Sequence, residues 1–330
     1  MKVCILGEGL TSLTLAKTLV NQGIYVDIFS NLEKRKLDKS RTLSISKSNI
    51  DFFNSNVLNI ENLLWKVNKI EIFNKFYKNK NIINFNDDKQ LFSVVKNFEL
   101  QNLLIKYLNK SPLLQFKRNI INEILLKKNY KLIINCNFKN LITKKYFYKK
   151  IIKDYNSRAY TTIIQHKELI KNNVAMQIFT EKGPIAFLPM SNKETSIVYS
   201  VKGLESIDLK ELINKYNTQY TIVKINKTSK FELKSSHLRS YYHDNILAFG
   251  DLIHKIHPLA GQGFNMTIRD IKLLRNIILS KIDNGLDLDG TICEEFEKKI
   301  KYKNFIFSNG VDLVYEFFNL ESKFDNSMLT

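Results

Sequence analysis

Cysteine is scarce in this 330-residue chain: Cys4, Cys136 and Cys293 are its three cysteines, and they lie far apart. That spacing offers neither a disulfide framework nor paired zinc ligands, and it points to a reducing compartment. No apolar run approaches the roughly 18–20 residues of a membrane-spanning helix. The N-terminus lacks the basic region, apolar run and cleavage site of a secretory signal. Met1 leads almost directly into Val3-Cys4-Ile5-Leu6, so a cytoplasmic location is expected. There is no internal repeat. No Ser/His/Asp or Cys/His arrangement suggests nucleophilic catalysis.

What remains is globular in character, with 44% apolar and 25% charged residues. The length suits two domains, or one large domain with an insert. Lysine and arginine number 51 against 32 aspartates and glutamates, a formal net charge of +19. The excess is spread along the chain, as in Lys75-Phe76-Tyr77-Lys78-Asn79-Lys80. No nucleic-acid motif accompanies it, so no nucleic acid is expected as a partner. Loose attraction to an anionic lipid surface fits better.

Residues 2–29 read as strand, glycine turn, amphipathic helix and second strand, with Gly23 past the helix end. Residues 49–65 read as helical up to Trp65, the single tryptophan. Short alternating segments over 66–95 predict strands, and Phe98 to Leu108 predicts a helix. Strands joined by turns are expected over 159–203, a helix over 208–217 and strand again over 220–240. Ile246 to Phe249 predicts a buried strand, followed by a glycine-rich loop that opens a helix to about Lys281. The stretch 287–320 reads as helical. A strand, a glycine turn and a helix thus occur twice, far apart in sequence. Such turns are where open α/β sheets bind ligands.

The first of them is Gly7-x-Gly9-x-x-Ser12. Small residues make the turn tight and let backbone N–H groups approach a pyrophosphate at a helix N-terminus. Ser12 stands where a third glycine would pack helix on strand. The acidic residue expected at the end of the second strand, for ribose hydroxyls, is replaced by Ser30. Asp27, three residues earlier, is expected on the strand's exposed face.

The second is Gly250-Asp251-Leu252-Ile253-His254-Lys255-Ile256-His257-Pro258-Leu259-Ala260-Gly261-Gln262-Gly263-Phe264-Asn265. An aspartate directly after a buried strand can accept hydrogen bonds from ligand hydroxyls. Gly261 and Gly263 permit close backbone approach, and the helix N-terminus offers free N–H groups. Pro258 can hold a flat face against a ring. His254 and His257 lack a Cys, Asp or Glu cluster around them, so no metal site is expected.

This segment resembles the second flavin motif of the single-component FAD-dependent aromatic hydroxylases. From Phe231 to Asp270 it is similar to the ubiquinone-biosynthesis hydroxylase family. Three further stretches follow in that family's order: Arg41-Thr42-Leu43-Ser44-Ile45-Ser46, Glu99-Leu100-Gln101, and Phe179 to Pro189. The resemblance implies an α/β fold, with a Rossmann-like FAD-binding domain (1–65, 96–140 and 231–285), an inserted mixed-sheet substrate domain (66–95 and 141–230) and C-terminal helices (286–330). It implies FAD as cofactor, held at the pyrophosphate by Gly7, Gly9 and Ser12. Arg41 and Gln101 would reach the ribityl and phosphate region, and Asp251 the ribityl chain. Pro258 would sit at the reactive edge of the ring, with Gly261, Gln262 and Gly263 along its pyrimidine side. Asn265 is counted with these cofactor-binding residues, more as the group that fixes the loop or caps the helix than as one that does chemistry.

The implied activity is a monooxygenase. NAD(P)H, bound transiently, reduces the flavin, O₂ forms a C4a-hydroperoxide, and an aromatic ring is hydroxylated. The implied substrate is a polyprenylated phenol on the way to ubiquinone, met at the membrane surface and in the company of quinone-biosynthesis partner proteins. The family's middle Asp-Gly motif falls on Asn137 and Phe138 and is eroded. Together with Ser30, that erosion raises a second reading, a non-catalytic subunit keeping the fold. A flavin-dependent halogenase is disfavoured, because its Trp-x-Trp motif needs a second tryptophan.

Overall fold

The computed structural model describes residues 2–30, 39–74, 81–118, 122–180, 182–203, 207–256 and 261–321. Lys2–Leu6, Tyr25–Phe29, Ile133–Asn135 and Ile246–Ala248 are nearly unbroken apolar runs, as strands covered on both faces must be. They pair in parallel, in the order Ile246–Ala248, Ile133–Asn135, Lys2–Leu6, Tyr25–Phe29. Leu114–Lys117 extends one edge in parallel, and Tyr242–His243 closes the other antiparallel. From Lys2–Leu6 the chain builds outward to one side first and returns to add Ile133–Asn135 on the other. The crevice between these two strands is therefore the topological switch point, the usual ligand position in open α/β sheets.

A second sheet has nine strands and is mostly antiparallel. Its spine is the 17-residue strand Lys150–His166, flanked by Glu194–Lys202 and Ser229–Leu238. Val174–Thr180 pairs in parallel with Lys69–Asn74, which makes the sheet mixed. Thr42–Ser46, Phe92–Lys96 and Trp65–Val67 form a small third sheet. The largest apolar core joins the parallel sheet to the helices Leu10–Val20, Asn97–Leu108, Gln262–Asp283 and Gly290–Glu321. A smaller core lies on the mixed sheet, around Phe187, Ile197 and Tyr199. Ser229–Leu238 belongs to the mixed sheet, although the sequence reading grouped 231–238 with the nucleotide-binding segments.

Two local expectations are corrected. The helix expected over 49–65 is Lys47–Asn56 and stops there. The Asn21 amide donates to the carbonyls of Asn56 and Val57, while the Asn54 side chain accepts from the Ile60 N–H, so side chains take over the helix-end groups. Trp65 then opens a strand, its indole N–H on the Asn172 carbonyl at 2.5 Å.

Asp27 is not on an exposed face: it is 2% exposed. Lys2 and Lys117 approach its carboxylate at 2.8 and 2.7 Å, and the Tyr130 hydroxyl donates to it. The charge lies under half-covered lysine stems that keep their heads near water. Burial works against the charged carboxylate. The hydrogen bonds from Lys117, Lys2 and Tyr130 outweigh that and hold its pKa below the ordinary range.

A native pKa lowered in this way contributes stability above the unfolded value, and the contribution is lost as pH falls through the native value. The chain is expected to weaken from about pH 4 downward, and Asp27→Asn to weaken less over the same interval. Urea midpoints followed through that range decide the matter. Equal acid losses in the two proteins would show that the lysines do not hold this carboxylate.

Candidate functional site

Three parallel strands end side by side, in register at Leu6, Asn135 and Ala248. The residues just beyond those ends are Gly7, Cys136 with Asn137, and Gly250 with Asp251. Gly7 has φ +115°, a conformation open to glycine. A Cβ there would lie 3.2 Å from Ser12 Oγ and 3.5 Å from Asn137. Ser12 is fully buried and so fills the helix–strand contact expected of it. Gly9 caps Leu10–Val20 without a side-chain hydrogen bond, and no acidic residue occupies the first helical turn. The first N–H groups of that helix therefore keep their capacity for an anion.

Gly250 joins the second motif to the first. Its φ is +66°, and a Cβ would come 2.6 Å from Thr11 Cγ2, in the first turn of Leu10–Val20. Asp251 follows in a short 3-10 turn and is exposed, with no hydrogen-bond partner among the described residues. Burial pushes the Cys136 thiol up to about 12, with the Ser12 hydroxyl opposing and the Asp251 carboxylate reinforcing the shift. The thiol is thus a neutral group on the crevice floor, with serine and aspartate nearby.

Gly261, at φ +64°, caps the Gln262–Asp283 helix, again without a side-chain bond or an acidic first turn. A Cβ on it would meet Ser44 Cβ at 3.1 Å. Gly263 differs. It is the second residue of the helix, and among the described residues a Cβ on it would meet nothing within 4 Å.

Asn265 ties this helix to its surroundings. Its Oδ1 accepts from the Ser46 N–H at 3.0 Å and the Asn49 amide at 2.8 Å. Its Nδ2 donates to the Ser44 carbonyl at 2.8 Å and the Gly261 carbonyl at 3.3 Å. Both lone pairs and both hydrogens are used, so Asn265 fixes the loop and has none left for a cofactor. Arg41 is exposed, its guanidinium 6.0 Å from the Phe231 ring centre. Gln101 is buried and donates to Asn97, one turn earlier on its own helix. Gln262 opens the long helix, half-buried beside Gly261. Pro258 and His257 lie outside the described residues. Among the described residues no group of His, Cys, Asp and Glu could hold a metal ion.

The eroded middle motif has become a closed set of asparagine bonds. Asn135 accepts from the Asn137 N–H at 3.1 Å and the Asn140 amide at 2.9 Å, and it donates to Thr143 at 2.8 Å. Asn137 Oδ1 accepts from the Lys139 N–H. This turn backs Gly7 but presents neither a carboxylate nor a glycine. Ser30 extends the edge pairing, its N–H on the Lys117 carbonyl at 3.1 Å.

Two uncapped helix N-termini, an exposed aspartate after a strand and an unpacked glycine fit the pyrophosphate, ribityl and ring portions of FAD. The adenosine end departs from the usual donor set.

Comparison with known structures agrees on the fold. PqsL of Pseudomonas aeruginosa, in complex with 2-aminobenzoylacetate, superposes with TM-score 0.76 at 13% identity, covering 98% of both chains. A variant of HpxO from Klebsiella pneumoniae complexed with FAD gives TM-score 0.74 at 13% identity, covering 97% of this chain and 90% of that one. The fold is that of the FAD-dependent monooxygenases.

By sequence, residues 172–285 match the family described as FAD binding domain. The mitochondrial ubiquinone biosynthesis monooxygenase COQ6 of Xenopus tropicalis is 27% identical over 210 residues, 50% of this chain and 45% of that protein. The 3-demethoxyubiquinol 3-hydroxylase of Escherichia coli is 28% identical over 153 residues, 43% of this chain and 39% of that protein. The matched stretch thus spans less than half the length of either relative. Over the matched stretches the chain is similar in sequence to these two enzymes of ubiquinone biosynthesis, the direction in which its second motif pointed.

Sequence reasoning missed four participants: Thr11 under Gly250, Ser44 under Gly261, Asn49 on Asn265, and Asp270 behind His254. Thr11 lies within the Gly7–Ser12 motif, Ser44 within Arg41 to Ser46 and Asp270 at the end of the Phe231–Asp270 stretch, but nothing in those stretches shows what each side chain touches. Asn49 lay in none of them.

Proposed function

We propose that this chain is an FAD-dependent monooxygenase that hydroxylates an aromatic ring, with a polyprenylated phenol of ubiquinone biosynthesis as substrate. The observation that carries this reading is a pair of glycine turns: Gly250, with Asp251 after it, lies against Thr11 of the Gly7 motif, and Gly261, with Gly263 after it, opens the next long helix. Bound there, FAD would supply the oxygen chemistry, with NAD(P)H as transient reductant. Gly7, Gly9 and Ser12 would shape the turn that receives the pyrophosphate, and Asp251 would accept from ribityl hydroxyls. Arg41 and Gln101 would approach the ribityl and phosphate groups. The N–H groups at Gly261, Gln262 and Gly263 would face the pyrimidine side of the ring and stabilise negative charge there. Pro258 would pack at its reactive edge.

In this reading the parallel sheet is the FAD-binding part and the mixed sheet the substrate part. The relatives named as hydroxylases favour an enzyme over a subunit without catalysis. No described helix is long and apolar enough to cross a membrane. A bilayer-resident substrate would then be met by reversible attachment at the inner, cytoplasmic face, aided by lysines near anionic lipid and by quinone-biosynthesis partner proteins.

The test supplies FAD, NADH or NADPH, and short-chain prenylated phenols under ¹⁸O₂. The expected result is a product carrying one ¹⁸O atom, formed only when reductant and phenol are both present. Reductant consumption without any oxygenated product, across the phenol series, would contradict the proposal.

A further inference from the structure

The Gln262–Asp283 helix carries a fully buried carboxylate, Asp270. Burial without a partner would be costly for such a group. Its Oδ2 lies 2.5 Å from His254 Nε2, and the two side chains are 0% and 1% exposed. Its Oδ1 accepts from the Asn304 amide at 3.3 Å. Asn304 is 3% exposed and sits on the separate helix Gly290–Glu321. The Tyr241 phenol also meets Asn304, and burial and the Asp270 carboxylate keep it neutral.

His254 is equally constrained on its other side. Its strand, His254–Lys255, pairs with Ser229–Leu238, placing His254 opposite His237. One carboxylate thus connects three elements. They are the segment that begins at Gly250-Asp251, the helix that begins at Gly261-Gln262, and the C-terminal helix. Both starting points belong to the proposed flavin site, whereas Asn304 belongs to neither motif.

We propose that Asp270 and Asn304 are positioning residues for the flavin site: through His254 they fix the Gly250–Ile256 segment, and with it Asp251, relative to the start of the Gln262–Asp283 helix. The C-terminal helix thereby takes part in flavin binding without touching the flavin. The proposal rests on the FAD reading above. A two-point clamp of this kind works because a buried carboxylate with a rigid imidazole on one oxygen and an amide on the other has one low-energy arrangement. The His254–Lys255 strand and the Gln262–Asp283 helix, both of which follow Asp251, cannot shift independently while it holds.

A double-mutant cycle on FAD affinity tests it, using Asp270→Asn and Asp251→Asn in the full chain. Asp270→Asn preserves volume and is expected to weaken FAD about tenfold, equivalent to about 1.4 kcal/mol. In the Asp251→Asn background the same change is expected to cost less than about twofold, because the group it positions is gone. Asn304→Leu is expected to weaken FAD in the same background-dependent way. It is also expected to raise amide hydrogen exchange at 250–256 without lowering protection in the Lys150–His166 strand. That second readout needs no flavin.

Additive effects in the cycle, or unchanged exchange at 250–256 beside intact FAD binding, overturn the positioning role and leave the FAD reading standing. Raised local exchange in a chain that never binds FAD supports the clamp and overturns the FAD reading. Unchanged exchange in such a chain overturns both.

Discussion

Asp251→Ala is expected to weaken FAD binding roughly ten- to a hundred-fold in a chain that still folds. A hydrogen bond to a charged group contributes roughly 1.5–3 kcal/mol, which converts to that range in affinity. The fold should survive, because Asp251 is exposed and has no hydrogen-bond partner among the described residues. Surface changes of this sort usually alter stability by less than about 0.5 kcal/mol. Flavin fluorescence quenching gives the affinity, and a thermal melt confirms folding. A melting curve and an FAD dissociation constant both equal to the parent's would place the ribityl chain elsewhere.

Gly250→Ala should have the opposite signature, a loss of stability first and of binding as a consequence. At φ +66° an L-residue pays roughly 1–2 kcal/mol for the left-handed conformation. The added methyl would also sit 2.6 Å from Thr11 Cγ2, and overpacking of this kind costs roughly 1–3 kcal/mol. The combined expectation is a loss of about 2–5 kcal/mol, read from urea unfolding. Thr11→Ser removes the clashing methyl and should return part of that loss in the double variant, leaving the backbone strain. A single variant as stable as the parent would mean that the two motifs are not pressed together at this point.

These two residues also show what kind of information the sequence carries. Gly250-Asp251 and Gly261-x-Gly263 were legible because they combine a buried strand, glycine and a helix start within sixteen residues. Local chemistry and spacing there dictate the geometry. The Gly7 turn was legible for the same reason. The identity of the residue beneath each glycine was not. Thr11 and Ser44 come to Gly250 and Gly261 from more than two hundred positions away.

Asp27 illustrates a different failure. An aspartate in the run Tyr25–Phe29 reads as solvent-facing, since an unpaired buried carboxylate is costly. The fold resolves this by bringing Lys2, Lys117 and Tyr130 to it from three other segments. Trp65 failed for a third reason. The apolar pattern after Asn56 continues at a spacing compatible with helix, but Asn21, a residue of the neighbouring helix end, takes the carbonyls that would have propagated it. In the middle motif the sequence correctly showed that the Asp-Gly pair was missing. It did not show that Asn135, Asn137, Asn140 and Thr143 would close on one another in its place.

The most direct test of the account is the visible spectrum of the purified full chain during titration with FAD. Saturable binding is expected, with a change in the flavin absorption bands and quenched fluorescence at full occupancy. Most of that affinity is expected to be lost in Asp251→Ala. Flavin spectra that remain those of free FAD at every concentration, in a chain shown to be folded, would contradict it.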